Sequence, residues 1–226
     1  MRRRGLTAAF TAAIALTIAA IAGISLHGPD RRAAQAAPSA AVQPAATEGA
    51  ARLVLAGGCF WCVEADFDKV SGVLETTSGF SGGHTPEPSY REVTRGGTGH
   101  YEVVEIVYDP EIVSFRDLVD HFWRTIDPLD DGGQFCDRGS SYKTAIFVRN
   151  AEERREAEAS KQAAAAVLGR PIVTEILDFE AFYPAEAYHQ DYYIKNPIRY
   201  RFYREGCGRD RRLRALWGAA AAGGED

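Results

Sequence analysis

Along the chain from residue 52, short strand-like stretches give way repeatedly to stretches in which apolar residues recur at helical spacing. Strands are read over 52–56, 73–80, 101–108, 143–149 and 172–178, the first a short apolar run from Leu53 to Ala56 and the third alternating between two faces. Between them, Phe60, Val63, Phe67 and Val70 mark a helix over 60–69, and the stripe Phe115, Leu118, Val119, Phe122, Trp123, Ile126 marks one over 114–126. Ser114 with Asp117 three residues on has the form of a helix start. A further helix runs from Ala151 to Leu168: Asn150 can cap it, Glu152 and Glu153 suit its first turn, and Gly169 followed by Pro171 closes it. Helical segments over 185–194 and 197–206 complete the pattern. Residues 81–100, rich in Gly and Pro, and the stretch through Ser141 read as loops. The order β-α-β-β-α-β followed by α-β predicts an α+β fold, a ferredoxin-like split βαβ two-layer sandwich with additional C-terminal helical segments.

The N-terminal segment breaks this pattern. Arg2, Arg3 and Arg4 precede an uncharged apolar run from Leu6 to Leu26, and Ala34-Gln35-Ala36 before Ala37 has the small residues of a cleavage site. The run of 21 residues exceeds the usual apolar core of a signal, about 7–15 residues, so an uncleaved anchor is the alternative to a signal peptide. Residues 1–36 are therefore expected to be a signal peptide or membrane anchor, and either outcome makes the rest of the chain exported, periplasmic or otherwise extracytoplasmic. Residues 37–50, dominated by Ala, Pro, Ser and Gln, have little to bury and read as a flexible linker. One domain is expected over 51–217, with residues 218–226 as a disordered tail.

Composition narrows the partners. Five Arg against Asp30 and Glu48 give the first 50 residues a net +3, which leaves −8 on the remainder of a chain of net −5. An acidic domain argues against nucleic acid. A monomer is the default expectation.

The chemistry centres on Cys59, in Gly57-Gly58-Cys59-Phe60-Trp61-Cys62, at the junction of the first strand and first helix. A thiol at a helix N-terminus is expected to favour the thiolate, because N–H groups and the positive end of the macrodipole stabilise the charge. The paired glycines before it and the two large aromatics after it suit a nucleophile at a pocket rim. Candidate partners lie in loops: Tyr90, Glu102, Asp137 with Tyr142, and Tyr188-His189.

These residues resemble the A-type peptide-methionine sulfoxide reductases, which reduce the S epimer of methionine sulfoxide in proteins and in the free amino acid. The likeness extends from Gly57 to about Tyr200. It runs through Gly-Cys-Phe-Trp, Ser78-Gly79-Phe80-Ser81-Gly82-Gly83, Tyr90-Arg91-Glu92-Val93, Gly99-His100-x-Glu102, and Tyr188-His189-x-x-Tyr192 with Lys195-Asn196-Pro197. The resemblance implies that Cys59 is the nucleophile, that Glu102 protonates the sulfoxide oxygen, and that Tyr90 and Tyr142 hydrogen-bond it. It makes Phe60 and Trp61 the walls of the methyl pocket and assigns Asp137 to the substrate side. It implies no metal and no organic cofactor, oxidised proteins and free methionine sulfoxide as substrates, and a thioredoxin-like reductant.

The residue types make chemical sense of that assignment. A sulfoxide sulfur is electrophilic only when its oxygen is protonated or strongly hydrogen-bonded, so a thiolate needs an acid and phenolic donors in a dry pocket. On the strand 101–108, Glu102 shares a face with Val104, Ile106 and Tyr108, where burial would keep its carboxyl protonated. Alternation equally allows Glu105 on the opposite face, and only the resemblance selects Glu102. Tyr90 and Tyr142 could instead be surface aromatics, Asp137 a turn cap, and His189 a structural residue.

Oxygen transfer would leave Cys59 as a sulfenic acid that condenses with a second thiol. Cys207, between Gly206 and Gly208, is the expected resolving cysteine, since the family often keeps one near its C-terminus. Cys62 departs from the glycine common in the family at that position. It and Cys136 are candidates for a redox relay, with Cys136 able to pair with Cys207 and a Cys59–Cys62 bridge geometrically feasible on one helical turn. Two other classes compete: an exported C-x-x-C thiol-disulfide oxidoreductase, and a zinc-binding or structural module using the four cysteines.

Overall fold

The computed structural model describes residues 49–221. The segment assigned to a signal or anchor, nearly all of the linker, and residues 222–226 of the tail lie outside the described residues. Among the described residues no helix is long and apolar enough to cross a membrane. Strand β1 (Ala51–Gly57) leads to α1 (Phe60–Phe67), β2 (Val73–Ser81), α2 (Tyr90–Arg95), β3 (Tyr101–Tyr108) and α3 (Phe115–Trp123). A two-stranded ribbon of β4 (Gly133–Gln134) and β5 (Asp137–Arg138) precedes β6 (Thr144–Val148), α4 (Ala151–Leu168), β7 (Glu175–Asp178) and β8 (Phe182–Pro184). Three helices close the chain: α5 (Tyr192–Lys195), α6 (Pro197–Gly206) and α7 (Arg209–Trp217).

Six strands form one mixed sheet in the order β7-β6-β1-β3-β2-β8. Within it β6, β1, β3 and β2 are antiparallel neighbours, the arrangement of a split βαβ fold, while β7 adds parallel to β6 and β8 antiparallel to β2. Strand alternation divides the buried residues between two faces. Leu53, Leu55, Val104, Ile106 and Ile146 join Phe67, Leu118, Phe122 and Trp123 of the helical layer in the main core. Val54, Ala56, Val103, Ala145 and Phe147 form a smaller cluster under Tyr101, Leu177, Phe179 and Phe182. Each fully buried Leu, Ile or Phe contributes about 1.5–3 kcal/mol, so the helical face supplies most of the apolar stabilisation.

The expected caps set the helix starts. Ser114 Oγ accepts the Asp117 N–H at 3.1 Å while Asp117 Oδ2 accepts the Ser114 N–H at 3.2 Å. Asn150 Oδ1 accepts the N–H groups of Glu152 and Glu153 at 2.9 Å each, and Gly169 closes α4 in the left-handed region at φ 63°. Trp123 Nε1–H, donated to Ser160 Oγ at 2.7 Å, ties α3 to α4.

The sequence reading did not foresee the β4–β5 ribbon, inside the expected loop through Ser141, or strand β8, and four further segments differ from it. The loop over 81–100 contains α2, opened by a capping box of Ser89 and Glu92. The segment 185–191 is not helical: Gln190 donates to the carbonyls of Ser78 (2.8 Å) and Ala185 (2.9 Å) and accepts the Ser78 N–H (2.8 Å), and Asp191 takes φ 52°. These side-chain bonds to a neighbouring strand replace a helical ladder. Helix α7 went unforeseen because its buried face is small, Leu213 and Trp217 with Arg209. Beyond Trp217, where a disordered tail was expected, Gly218–Ala220 form a 3-10 turn.

Candidate active site

The turn from β1 into α1 places Cys59. It is the N-cap of α1, at φ −55° and ψ 118°. Gly58 before it has φ +81°, and a Cβ there would lie 2.5 Å from Cβ of Gln134, so the corner is closed against the β4 ribbon. Arg209, 1% exposed, holds the same corner from α7 by donating to the carbonyls of Gly57 (3.3 Å) and Thr125 (2.8 Å).

Around Cys59 a cleft of about 90 Å³ is lined by Phe60, Trp61, Tyr90, Glu102, Asp137, Tyr142 and Tyr203. The structure thus brings together Cys59, Glu102, Tyr90, Tyr142, Phe60, Trp61 and Asp137 from separate elements. Larger hollows of about 510 and 390 Å³ lie elsewhere, along α6 and α7. Glu102 opens β3, 1% exposed, with Oε2 accepting the Phe60 N–H at 3.1 Å. Its Oε1 is buried without a protein partner. Burial raises this carboxyl to about 8, against the opposing pull of the Phe60 N–H, with the Asp137 charge adding to the rise. Glu102 is therefore neutral at pH 7 and carries a proton it can give. Glu105, the alternative that alternation allowed, lies on the other face, paired with Arg52 at 2.6 Å and Arg149 at 3.3 Å.

The aromatic wall is braced from behind. Trp61 stacks on Tyr192 with ring centroids 3.7 Å apart and planes 7° from parallel, and its Nε1–H donates to His189 Nδ1 at 3.1 Å. Burial lowers His189 to about 4, so the ring is neutral with its proton on Nε2, an indole anchor rather than an acid. Phe60 stacks on Tyr90 at 6.1 Å. Burial raises Tyr90 to about 12, and raises Tyr142 further with the charge of Glu102 added, so both phenols remain donors.

Tyr203 is the cleft residue that sequence reasoning missed. Its hydroxyl donates to Asp137 Oδ2, its ring meets Trp61 edge-on at 5.8 Å, and it interacts with the Cys59 thiol. A signal existed: Tyr203 precedes Cys207 by four residues, hence lies on the same face of the expected helix.

The cysteines sort into two couples. Cys59 and Cys62 are free, buried and adjacent on the first turn of α1. Cys136 and Cys207 form a disulfide with Cα atoms 4.8 Å apart. Cys207, expected to resolve Cys59 directly, is thus bonded to Cys136, and the thiol beside Cys59 belongs to Cys62. A module holding zinc through all four cysteines is incompatible with that bond. The expectation of a ready thiolate at Cys59 also needs correction. Burial pushes the Cys59 thiol well up, and its hydrogen bond to Cys62 keeps the proton on Cys59. The same bond, with Arg209 and Arg204 behind it, brings Cys62 down to about 7. Desolvation at Cys59 outweighs the dipole of an eight-residue helix, and the charge of the pair rests on Cys62.

Comparison with known proteins agrees with this constellation. A family model described as peptide methionine sulfoxide reductase matches residues 51–221. A Rhizobium meliloti protein named peptide methionine sulfoxide reductase MsrA 2 is 53% identical over 171 residues, 76% of this chain and 85% of the relative. A Bacillus pumilus protein named peptide methionine sulfoxide reductase MsrA is 50% identical over 164 residues, 72% of this chain and 92% of the relative. Among solved structures, methionine sulfoxide reductase A of Corynebacterium diphtheriae superposes with a TM-score of 0.61 at 36% identity, over 67% of this chain and 77% of that one.

Proposed function

The chain belongs to the peptide methionine sulfoxide reductase family, and from that membership we propose the following course for its reaction. It is a peptide-methionine (S)-S-oxide reductase, an oxidoreductase whose substrates are oxidised methionines in proteins and the free amino acid. The observation that carries the reading is the neutral, buried Glu102, which lines the cleft beside Cys59 and whose Oε1 has no protein partner. The substrate methyl lies against Phe60 and Trp61, and Tyr90 and Tyr142 donate to the sulfoxide oxygen. Glu102 passes its proton to that oxygen as the Cys59 proton moves to Cys62 and the freed sulfur attacks. The sulfoxide sulfur gains two electrons and leaves as methionine; Cys59, two electrons poorer, holds the oxygen as sulfenic acid.

Cys62, one helical turn away, then attacks Cys59. The new S–S bond replaces the S–O bond, and the hydroxyl departs as water after taking a proton. In this reading Cys62 rather than Cys207 resolves the sulfenic acid. Cys207 follows α6 one turn beyond Tyr203, which lines the cleft. Once reduced, its thiolate can open the Cys59–Cys62 bridge and hand the oxidation to Cys136. The final reductant is a thioredoxin-like dithiol protein. The Arg2–Arg4 and Leu6–Leu26 pattern supports an exported enzyme, with N-terminal sequencing of the mature protein as the check on cleavage.

The deciding experiment supplies dithiothreitol with each epimer of methionine sulfoxide. Methionine forms from the S epimer only; a protein inert toward both, yet able to reduce insulin disulfides, would be a thiol exchange protein instead.

A further inference from the structure

Resting on the reductase reading, we propose that the electron donor docks on the cationic surface of α6 and α7 and that its thiolate attacks Cys136 rather than Cys207. Access favours that sulfur: Cys136 is exposed, whereas Cys207 is partly covered. Cys207 ends the ten-residue α6 and stands just before Gly208, the N-cap of the nine-residue α7, so the two helix ends act on a thiolate there in opposite senses. The hollow of about 390 Å³ that it lines holds Asp127 and Asp130 as well as Arg211 and Arg212. Cys136 is followed by Asp137, whose carboxylate would repel a thiolate leaving from Cys136. Exchange proceeds fastest at the accessible sulfur with the better leaving group on the far side, and the exposure of Cys136 together with Asp137 beside it selects Cys136.

The surroundings specify the partner. Residues 197–217 carry seven Arg against Glu205 and Asp210, a net +5 within a chain of net −5. Arg204 turns inward to Asp66 at 2.8 Å, and Arg212 pairs with Asp127 at 2.7 Å. Among the described residues, Arg201, Arg211 and Arg214 are exposed and pair with no carboxylate. Arg211 lines both the hollow at Cys207 and the neighbouring one of about 510 Å³, which also holds Lys69, Arg201 and Arg214. Arg211 thus joins the arginine-rich hollow to the one that reaches Cys207 of the disulfide, with Glu205, Asp210, Asp127 and Asp130 interspersed along the way. This surface fits a dithiol protein with an acidic rim around its reactive cysteine, and it draws the attacking thiolate inward.

The exchange balances. The donor thiolate bonds to Cys136 Sγ, the Cys136–Cys207 bond breaks, and Cys207 leaves as a thiolate. The donor's second thiol then attacks the mixed disulfide, giving oxidised donor and a Cys136 that takes up a proton. Cys207, one turn beyond the cleft residue Tyr203, is then free to act on the Cys59–Cys62 bridge.

The probe is a negatively charged thioredoxin whose second C-x-x-C cysteine is serine, incubated with the full chain and followed by mass mapping of the adduct. The link should fall on Cys136. In steady state with the intact thioredoxin, Arg211→Glu should lower the ratio of thioredoxin-supported to dithiothreitol-supported kcat/KM about tenfold, and rising salt should depress the wild-type ratio. No adduct, an adduct on Cys207, or a ratio indifferent to both Arg211→Glu and salt overturns the proposal. Absence of methionine formation with dithiothreitol would instead sink the reductase reading itself.

Discussion

Substituting Glu102 by Gln should remove proton donation and, at the same time, make the folded protein more stable at alkaline pH. In the fold this carboxyl is raised from 4.5 to about 8 by burial. Below pH 4.5 it is protonated in both folded and unfolded chains and contributes nothing to the difference. As pH rises from there, the unfolded chain ionises while the fold stays neutral, so stability is lost progressively until about pH 8, where the loss levels off. At 1.36 kcal/mol per pKa unit the loss is about 3 kcal/mol at pH 7 and about 5 kcal/mol well above pH 8. A carboxamide can still accept the Phe60 N–H but never ionises, so the variant escapes this loss. It gives up general acid catalysis, about 10²–10⁴-fold in rate. The assay pairs single-turnover methionine formation with urea unfolding across pH 5 to 10. The wild-type rate should be bell-shaped, rising as Cys62 ionises near 7 and falling as Glu102 ionises near 8. The variant should be slow and lack the alkaline limb, and its stability relative to wild type should grow with pH. A wild-type rate in Glu102→Gln, or a stability difference that does not change with pH, refutes the assignment.

Cys59→Ser should abolish turnover, since no alkoxide forms at neutral pH; residual methionine production in stopped assays would reject the nucleophile. Cys62→Ser also removes the thiolate that takes the Cys59 proton, so its reductive step should be slow at pH 7, and the sulfenic acid it leaves at Cys59 should accumulate and be captured by dimedone; a rapid shift to a Cys59–Cys207 disulfide would return the resolving role to Cys207. Fully reduced wild-type protein should form two methionines per chain without reductant, and Cys207→Ser one, counted by quenched-flow chromatography. Arg209→Met should lower stability by about 3 kcal/mol in urea unfolding, because it leaves the buried Asp66 with Arg204 alone and frees the carbonyls of Gly57 and Thr125; a change near zero would show that Arg209 merely fills space.

Much of this was legible along the chain because it depends on local periods. The strands at 101–108 and 143–149, the capping box at Ser114 and the Asn150 to Gly169 boundaries of α4 follow from residues within one or two turns of each other. The segment 185–191 was misread for the opposite reason. Its aromatic spacing looks helical, but Gln190 satisfies backbone groups of Ser78, which is distant in sequence. The same holds for α7, whose buried Arg209 has meaning only beside Gly57, Thr125 and Asp66. In the site, motif resemblance placed Cys59, Glu102, Tyr90, Tyr142 and Asp137, yet Tyr203 escaped it.

By itself the sequence determined the sandwich, the nucleophile's corner between a strand and a helix, and a set of donors suited to sulfoxide reduction, since hydrophobic period, glycine turns and residue chemistry are properties of neighbouring positions. Alternation left Glu102 and Glu105 equal and the motif resemblance chose Glu102, but only the tertiary structure supplied the physical reason: the face of β3 that Glu102 occupies is dry enough to keep its carboxyl protonated, whereas Glu105 on the other face is paired with Arg52 and Arg149. Tertiary structure also decided which cysteines are partners, because disulfide pairing and a thiol's ionisation depend on distance and dielectric between segments that the linear order keeps far apart.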